Sequence, residues 1–275
     1  MPPLDRALRA LRPGLSLLAL AAAACAGGGA GDGGTSDSPT GPSTPSTPQT
    51  SGASAVAGGW TGTTSQGRSF AMHVDDAGVA LIMIGFSVPG AGCPQGLVSF
   101  ISFEAPRTPL TVTNGAFTYS STGSSGSLGL NGSLATAGTG NGTLTINDTQ
   151  CNGLLNATWS ATRAAGATVS LTGTWTGSLR SSLVAQSTAS LTFAQSGNNI
   201  TGTYSVSSTG AGGTISGVVL GRTARFTLTQ TAPANCPGTF NGHAVVSDTP
   251  VTLLFYYAGT DCLGTHTGGT GSAIR

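Results

Sequence analysis

From Leu171 to the end of the chain, apolar and polar positions alternate. Leu171, Gly173, Trp175, Gly177 and Leu179 share one face of a period-two run, with Thr, Ser and Arg tending to the other. Leu191 and Phe193 repeat the pattern, as do Ile200, Gly202, Tyr204 and Val206, then Ala224, Phe226 and Leu228, then Val251, Leu253, Phe255 and Tyr257. Period two is the spacing of a half-buried strand. Ser196-Gly197-Asn198, Leu220-Gly221-Arg222 and Ser247-Asp248 supply turns between the runs. About eight strands with short connections predict an up-and-down barrel, and Gly mixed with aromatics on the inward face suits a narrow, tapering interior. Upstream the alternation is rougher. Arg68–Val74, Val79–Val88, Pro109–Val112, Phe117–Ser120, Ser127–Leu134, Gly142–Ile146 and Leu155–Arg163 read as strands, and a further one follows a turn at Cys93-Pro94-Gln95-Gly96. Asn-Gly pairs at 114, 131, 141 and 152 are tight-turn signals. No ten-residue stretch carries a 3.6 period, so little helix is expected.

A short stretch occurs twice and divides the chain. Gly58-Gly59-Trp60-Thr61-Gly62 opens one alternating region that closes on Arg163; Gly173-Thr174-Trp175-Thr176-Gly177 opens another that closes on Arg275. The expected architecture is all-β, with two antiparallel modules at 57–164 and 170–275. The second is an eight-stranded up-and-down barrel and the first a barrel or a sandwich.

Residues 1–14 carry three Arg, and Leu15 to Ala24 form an apolar core too short to span a bilayer. Residues 1–24 therefore read as a signal peptide. Leu20-Ala21-Ala22-Ala23-Ala24-Cys25 resembles the bacterial lipoprotein signal, which implies diacylation of Cys25 and a membrane partner through that lipid. The resemblance departs at Ala22, where the family has Leu, so cleavage to a secreted form stays open. Ala26 after the cysteine implies the outer membrane of a two-membrane envelope. Residues 25–56, rich in Gly, Ser, Thr and Pro, read as a disordered tether because they lack the apolar surface to order themselves.

Composition removes whole classes of function. Only 7% of residues are charged, there is no lysine, and the net charge is +1. Nucleic-acid binding, which needs a basic face, is not expected. Five cysteines in an exported chain are odd in number, and lipidation of Cys25 accounts for one. The other four allow three connectivities. Pairing within modules, Cys93 with Cys151 and Cys236 with Cys262, is simplest because each module can then fold alone. Loops of this length would each contribute roughly 3.5–4 kcal/mol.

No catalytic constellation is visible. Glu104 is the sole glutamate, which excludes a paired-glutamate site. His73-Val74-Asp75 places an imidazole near a carboxylate, but beside Asp76 it reads as a hairpin turn. His243 and His266 sit among Thr and Gly and fit the hydrophilic outer face of a strand. Gly-x-Ser-x-Gly is absent, and no His/Asp set is ordered around the many Ser and Thr. Cys236-Pro237-Gly238 and Cys262-Leu263-Gly264 have neither redox nor zinc spacing and read as disulfide-held turns. Trp60 and Trp175 suit either barrel-end plugs or stacking platforms for a glycan. Tyr256 and Tyr257 present one ring to each strand face.

Module two resembles the calycin group, the lipocalin-like and avidin-like barrels. Gly173-Thr174-Trp175 matches their Gly-x-Trp on strand one, Arg275 their arginine over that Trp, and Thr201-Gly202-Thr203-Tyr204 a third-strand motif. Gly58-Gly59-Trp60 with Arg163 repeats the pairing. The resemblance implies a barrel closed at one end by Trp175 and Arg275, and a non-catalytic, cofactor-free binding protein for a small apolar ligand or a surface partner. Biotin recognition is not implied, since Trp175 is the lone Trp of its module. A structural or adhesive envelope spacer is the alternative, with a hydrolase or metal enzyme behind it.

Overall fold

The computed structural model describes residues 55–90, 93–102, 110–123, 126–148, 153–248 and 251–275. The signal peptide, Cys25, nearly all of the tether and the expected Cys93–Cys151 bridge fall outside what is described, since Cys151 lies beyond these residues and Cys93 is placed by its backbone alone.

Every described element is a strand. The second half is a closed antiparallel barrel of eight: β10 (Gly173–Arg180), β11 (Ser187–Ser196), β12 (Asn199–Val206), β13 (Gly212–Leu220), β14 (Thr223–Ala232), β15 (Gly238–Asp248), β16 (Val251–Asp261) and β17 (Gly264–Ile274), each paired with the next. β17 returns to β10, with Thr176 opposite Ile274 and Leu179 opposite Gly271. Closure removes the exposed edge that would otherwise template aggregation. Most of the alternating positions read from the sequence point inward and join one core, among them Leu171, Trp175, Leu191, Phe193, Tyr204, Leu253 and Phe255, whereas Val251 at the start of its strand is exposed.

The first half is one sheet rolled nearly closed rather than a two-sheet sandwich. Its strands are β1 (Gly58–Thr64), β2 (Ser69–Val74), β3 (Ala80–Gly90), β4 (Cys93–Ser102), β5 (Leu110–Thr111), β6 (Ala116–Gly123), β7 (Gly126–Leu134), β8 (Thr139–Asp148) and β9 (Gly153–Arg163), in spatial order β4-β3-β2-β1-β9-β8-β7-β6. β5 continues the line of β4: Met83 of β3 pairs with Ser102, and Leu81 with Leu110. A seam therefore runs between β4 and β6, bridged where Thr113 pairs with Ala116 around Asn114-Gly115. Both turn residues have positive φ, 50° and 78°, as a two-residue type I′ hairpin requires. Cys93 to Gly96 is strand, not the expected turn. The hairpin closes earlier, with Gly90 opposite Cys93, and Pro94 is tolerated because β4 lies at the end of the hydrogen-bonded order.

Each barrel is shut at one end by the same device. Trp60 Nε1 donates to the Val56 carbonyl at 2.9 Å and Trp175 Nε1 to the Leu171 carbonyl at 2.8 Å, both rings being fully buried. Arg163 Nη1 donates to the Ala55 carbonyl at 2.6 Å, and Arg275 Nη1 to the Thr172 carbonyl at 2.8 Å. The Arg275 guanidinium lies 5.4 Å from the Trp175 ring centroid, within cation–π range. Gly62 faces Ala161 and Gly177 faces Ala273, and in both places a Cβ would strike the neighbouring strand's backbone.

The barrels are docked side to side. β2, β3 and β4 lie against β14, β15 and β16, with Ala71, Met83, Val245 and Leu254 forming a small core of their own. Gly85 lets the surfaces close, since a Cβ there would strike Val245. Arg222 N donates to Thr61 Oγ1 at 2.9 Å, and Arg225 pairs with Asp76 at 3.0 Å at the rim. Both His243 and Tyr256 belong to this interface rather than to a solvated outer face. His243 is buried with its ring 6.0 Å from that of His73, and Tyr256 is 4% exposed. Every residue along Ala244–Ser247 and Thr252–Tyr257 is buried, and the sequence carries a trace of this in the unbroken apolar runs Ala244-Val245-Val246 and Leu253-Leu254-Phe255-Tyr256-Tyr257, the mark of strands covered on both faces.

Candidate ligand cavity in the second barrel

The second barrel is not filled. It holds a cavity of about 340 Å³ whose walls are apolar over most of their area, including Leu179, Leu191, Phe193, Ile215, Leu253 and Phe255. The floor is the Trp175 end, where the connector between barrels lies across the opening. Ala167 N bonds Asn198 Oδ1 and Leu171 N bonds Gln195 Oε1, both at 2.8 Å. Four loops frame the other end, between β10 and β11, β12 and β13, β14 and β15, and β16 and β17. They contribute Val184, Thr209, Pro233, Asn235 and Leu263 to the lining, and all but the half-buried Val184 are exposed. That end is the mouth.

The rim is tied together. Cys236 and Cys262 form a disulfide joining the β14–β15 and β16–β17 loops, with their Cα atoms 4.8 Å apart. Next to it, His266 is hydrogen-bonded on both ring nitrogens, through Nδ1 to Ser181 Oγ and through Nε2 to Asp261 Oδ1, each at 2.9 Å. Burial alone would raise the Asp261 pKa. Hydrogen bonds from His266, the Leu263 N–H and Gln230 outweigh it and hold the carboxyl below its ordinary value. Gln230 Nε2 also donates to the Cys236 carbonyl at 2.7 Å. Burial pushes the Tyr204 and Tyr257 hydroxyls up to about 12, with the Asp261 charge adding to the shift at Tyr204, so both stay protonated donors.

His266 is therefore an inward residue, against the outer-face expectation, and it completes a Ser–His–Asp set that the sequence reading did not find. The cause is a bulge. Tyr257 pairs with Gly269 but Gly259 with His266, so Thr267 and Gly268 together oppose Ala258. The extra residue, with Gly268 at φ 62°, inverts the parity of the strand above it. The available signal was Asp261 and His266 flanking the Cys262-Leu263 turn. A nucleophile–base–carboxylate order is the arrangement of acyl-transfer enzymes. Here the N–H groups of Leu183 and Val184 bond Ser181 Oγ itself, at 3.3 and 3.1 Å, so the trio fastens the β10–β11 loop to the β16–β17 hairpin. The Asp261 carboxylate and the sulfurs of Cys236 and Cys262 lie within 4.8 Å of one another, but sulfurs joined in a disulfide offer no thiolate to a metal.

Among the described residues, His73 belongs to no group of side chains placed to hold a metal. Asp75 Oδ1 instead accepts the Val79 and Ala80 N–H groups, as a turn carboxylate does. In the first barrel the interior around Trp159 is filled by rings. Phe70 stacks on Trp159 with centroids 4.4 Å apart, and Phe117 lies 6.1 Å from it on a near-parallel plane.

No family model and no curated protein matches the chain. Among solved structures, it is similar to a protein of unknown function from the DUF3598 family of Nostoc punctiforme, at 11% identity and a TM-score of 0.26 over 80% of this chain and 96% of that one. A protein of Bacteroides fragilis provisionally described as an outer membrane protein matches at 13% identity and a TM-score of 0.26, over 79% and 96%.

Proposed function

We propose that this is a non-catalytic protein of the bacterial cell envelope, carried there by its leader and held by lipid on Cys25, whose second barrel binds a small apolar molecule. The observation that carries the reading is the apolar, one-ended cavity of about 340 Å³, a size within the range of small-molecule sites. A 150 Å³ apolar cavity accepts benzene. By that scale this one holds a ligand of about 14 non-hydrogen atoms. The first barrel serves as the scaffold against which the binding barrel is docked.

The test is titration with 1-aminoanthracene, an uncharged probe of this size whose fluorescence rises in apolar surroundings. Saturable one-site binding is expected. Ala244→Phe, which places a ring in the cavity, should weaken it at least tenfold while circular dichroism stays unchanged. Absence of saturable binding, or binding indifferent to Ala244→Phe, refutes the reading. Anchoring is tested separately. Cys25→Ser should move the protein from membranes to the soluble fraction, and unchanged fractionation would rule the anchor out.

A further inference from the structure

Resting on that reading, the polar groups of the cavity define the ligand's head. Tyr204 is 93% buried by its 7% exposure, lines the cavity close to its mouth, and has a hydroxyl with no hydrogen-bond partner among the described residues. A buried O–H without a partner costs free energy comparable to a lost hydrogen bond. It is the natural position for a group supplied by a ligand. The other polar side chains near it are engaged: His266 on both nitrogens, Gln230 by the Cys236 carbonyl, Tyr257 by Ser181, and Asp261 by His266 and the Leu263 N–H. Among the described residues, no lysine or arginine lines the cavity. Arg275, at the closed end, is held by the Thr172 carbonyl and the Trp175 ring.

We infer that the ligand is an uncharged, elongated apolar molecule ending in one hydrogen-bond-accepting oxygen, an alcohol, ketone or ester, which takes the Tyr204 O–H. Carboxylates are selected against, because a buried anion here would meet no free cation and would face the Asp261 charge. Ammonium ions are selected against as well. The carboxylate that would receive one already accepts hydrogen bonds from His266, the Leu263 N–H and Gln230. The cavity thus differs from a fatty-acid site, in which a buried basic side chain would pair with the carboxylate.

The experiment is displacement of 1-aminoanthracene from the purified full chain, in detergent-free buffer at pH 7.5. The competitors are decanol, decanoate, decylammonium and naphthalene. Decanol is expected to compete at least tenfold better than either charged analogue of the same length. Tyr204→Phe, which keeps the ring, should weaken decanol about fivefold, the scale of one neutral hydrogen bond, and leave naphthalene within twofold. Decanoate or decylammonium matching decanol would overturn the inference while leaving apolar binding intact. So would decanol affinity unchanged by Tyr204→Phe. If the probe itself does not bind the wild-type chain, the parent reading fails and this inference fails with it.

Discussion

The two barrels share a closing device and differ in what they enclose. Gly62 opposite Ala161 corresponds to Gly177 opposite Ala273, and two residues before these alanines the first barrel has Trp159 where the second has Gly271. That indole stacks between Phe70 and Phe117 and is accommodated by Gly132 and Gly142, where a Cβ would strike it. At Gly271 a Cβ would strike Phe255, so the facing ring takes up part of the vacated space and the rest stays open. A barrel of eight strands is near the size at which its own side chains just fill it. One tryptophan more or less on the last strand is then enough to separate a packed scaffold from a binding cavity.

The largest effect expected from this comparison is at Trp159. Trp159→Ala should destabilise the chain by about 4 kcal/mol, as truncation of a large buried aromatic does. Leu253→Ala in the second barrel should cost about 2 kcal/mol, at the low end for leucine, because its side chain already borders empty space. Urea unfolding of the two variants compares them directly. A Trp159→Ala variant no less stable than Leu253→Ala would mean that the first barrel is not packed as described.

Next is the rim. The bridge between Cys236 and Cys262 spans a sequence separation of 26, and removing it with Cys236→Ser/Cys262→Ser should cost about 3.5 kcal/mol on the chain-entropy model. Because the bridge lies at the mouth, 1-aminoanthracene affinity should fall as well. Trp60 and Trp159, remote from it in the first barrel, should keep their near-ultraviolet circular dichroism. Loss of both signals together would show the barrels to be one folding unit.

The docked face supplies a pH-dependent test. Burial, then the Arg225 charge, then that of His243, lower the His73 pKa from 6.5 to about 4, against weaker opposite effects of Asp76 and Asp75. The unfolded chain therefore takes up this proton first. Stability is unaffected by His73 above pH 6.5, falls as pH drops from 6.5 to 4, and levels off below; the full loss is about 3 kcal/mol. His73→Phe should flatten that slope. It should not destabilise the protein at pH 7.5, because both ring nitrogens of His73 are buried without partners. Unfolding free energies measured every half pH unit decide the matter, and an identical slope in the variant would assign it elsewhere.

Much of this was legible in the chain. Period two placed Leu191, Phe193, Tyr204, Leu253 and Phe255 inside, because it is a local pattern fixed by strand geometry, whereas the pairing of Trp with Arg was expected only from the calycin resemblance. Alternation holds only while the ladder is regular, so the bulge at Thr267-Gly268 hid His266 and with it the polar side of the mouth. Docking was hidden for another reason. Whether the outer face of β15 meets water or β2 depends on contacts with residues about 170 positions distant, and only the unbroken apolar runs hinted at it. Hollowness was the least legible, since it depends on the sum of inward volumes rather than on any one position.

The smallest effect separates the two parts of the shared closing device. Arg275→Ala removes the guanidinium 5.4 Å from the Trp175 ring and its hydrogen bond to the Thr172 carbonyl. Trp175 keeps its bond to the Leu171 carbonyl and its full burial by neighbours. Arg275 is exposed, so solvent weakens the cation–π contact. The expected loss is about 1 kcal/mol. Trp175→Ala empties the plug itself and should cost about 3–5 kcal/mol. Arg163→Ala tests the copy: with its own hydrogen bond to the Ala55 carbonyl, it should fall within about 0.5 kcal/mol of Arg275→Ala. Arg275→Lys completes the set, because an ammonium retains the charge over the indole but not the planar fork. Recovery of at least half the loss by lysine would assign the effect to charge. A lysine variant no better than alanine would assign it to the hydrogen bond that pins the Leu171–Thr172 segment across the floor of the cavity.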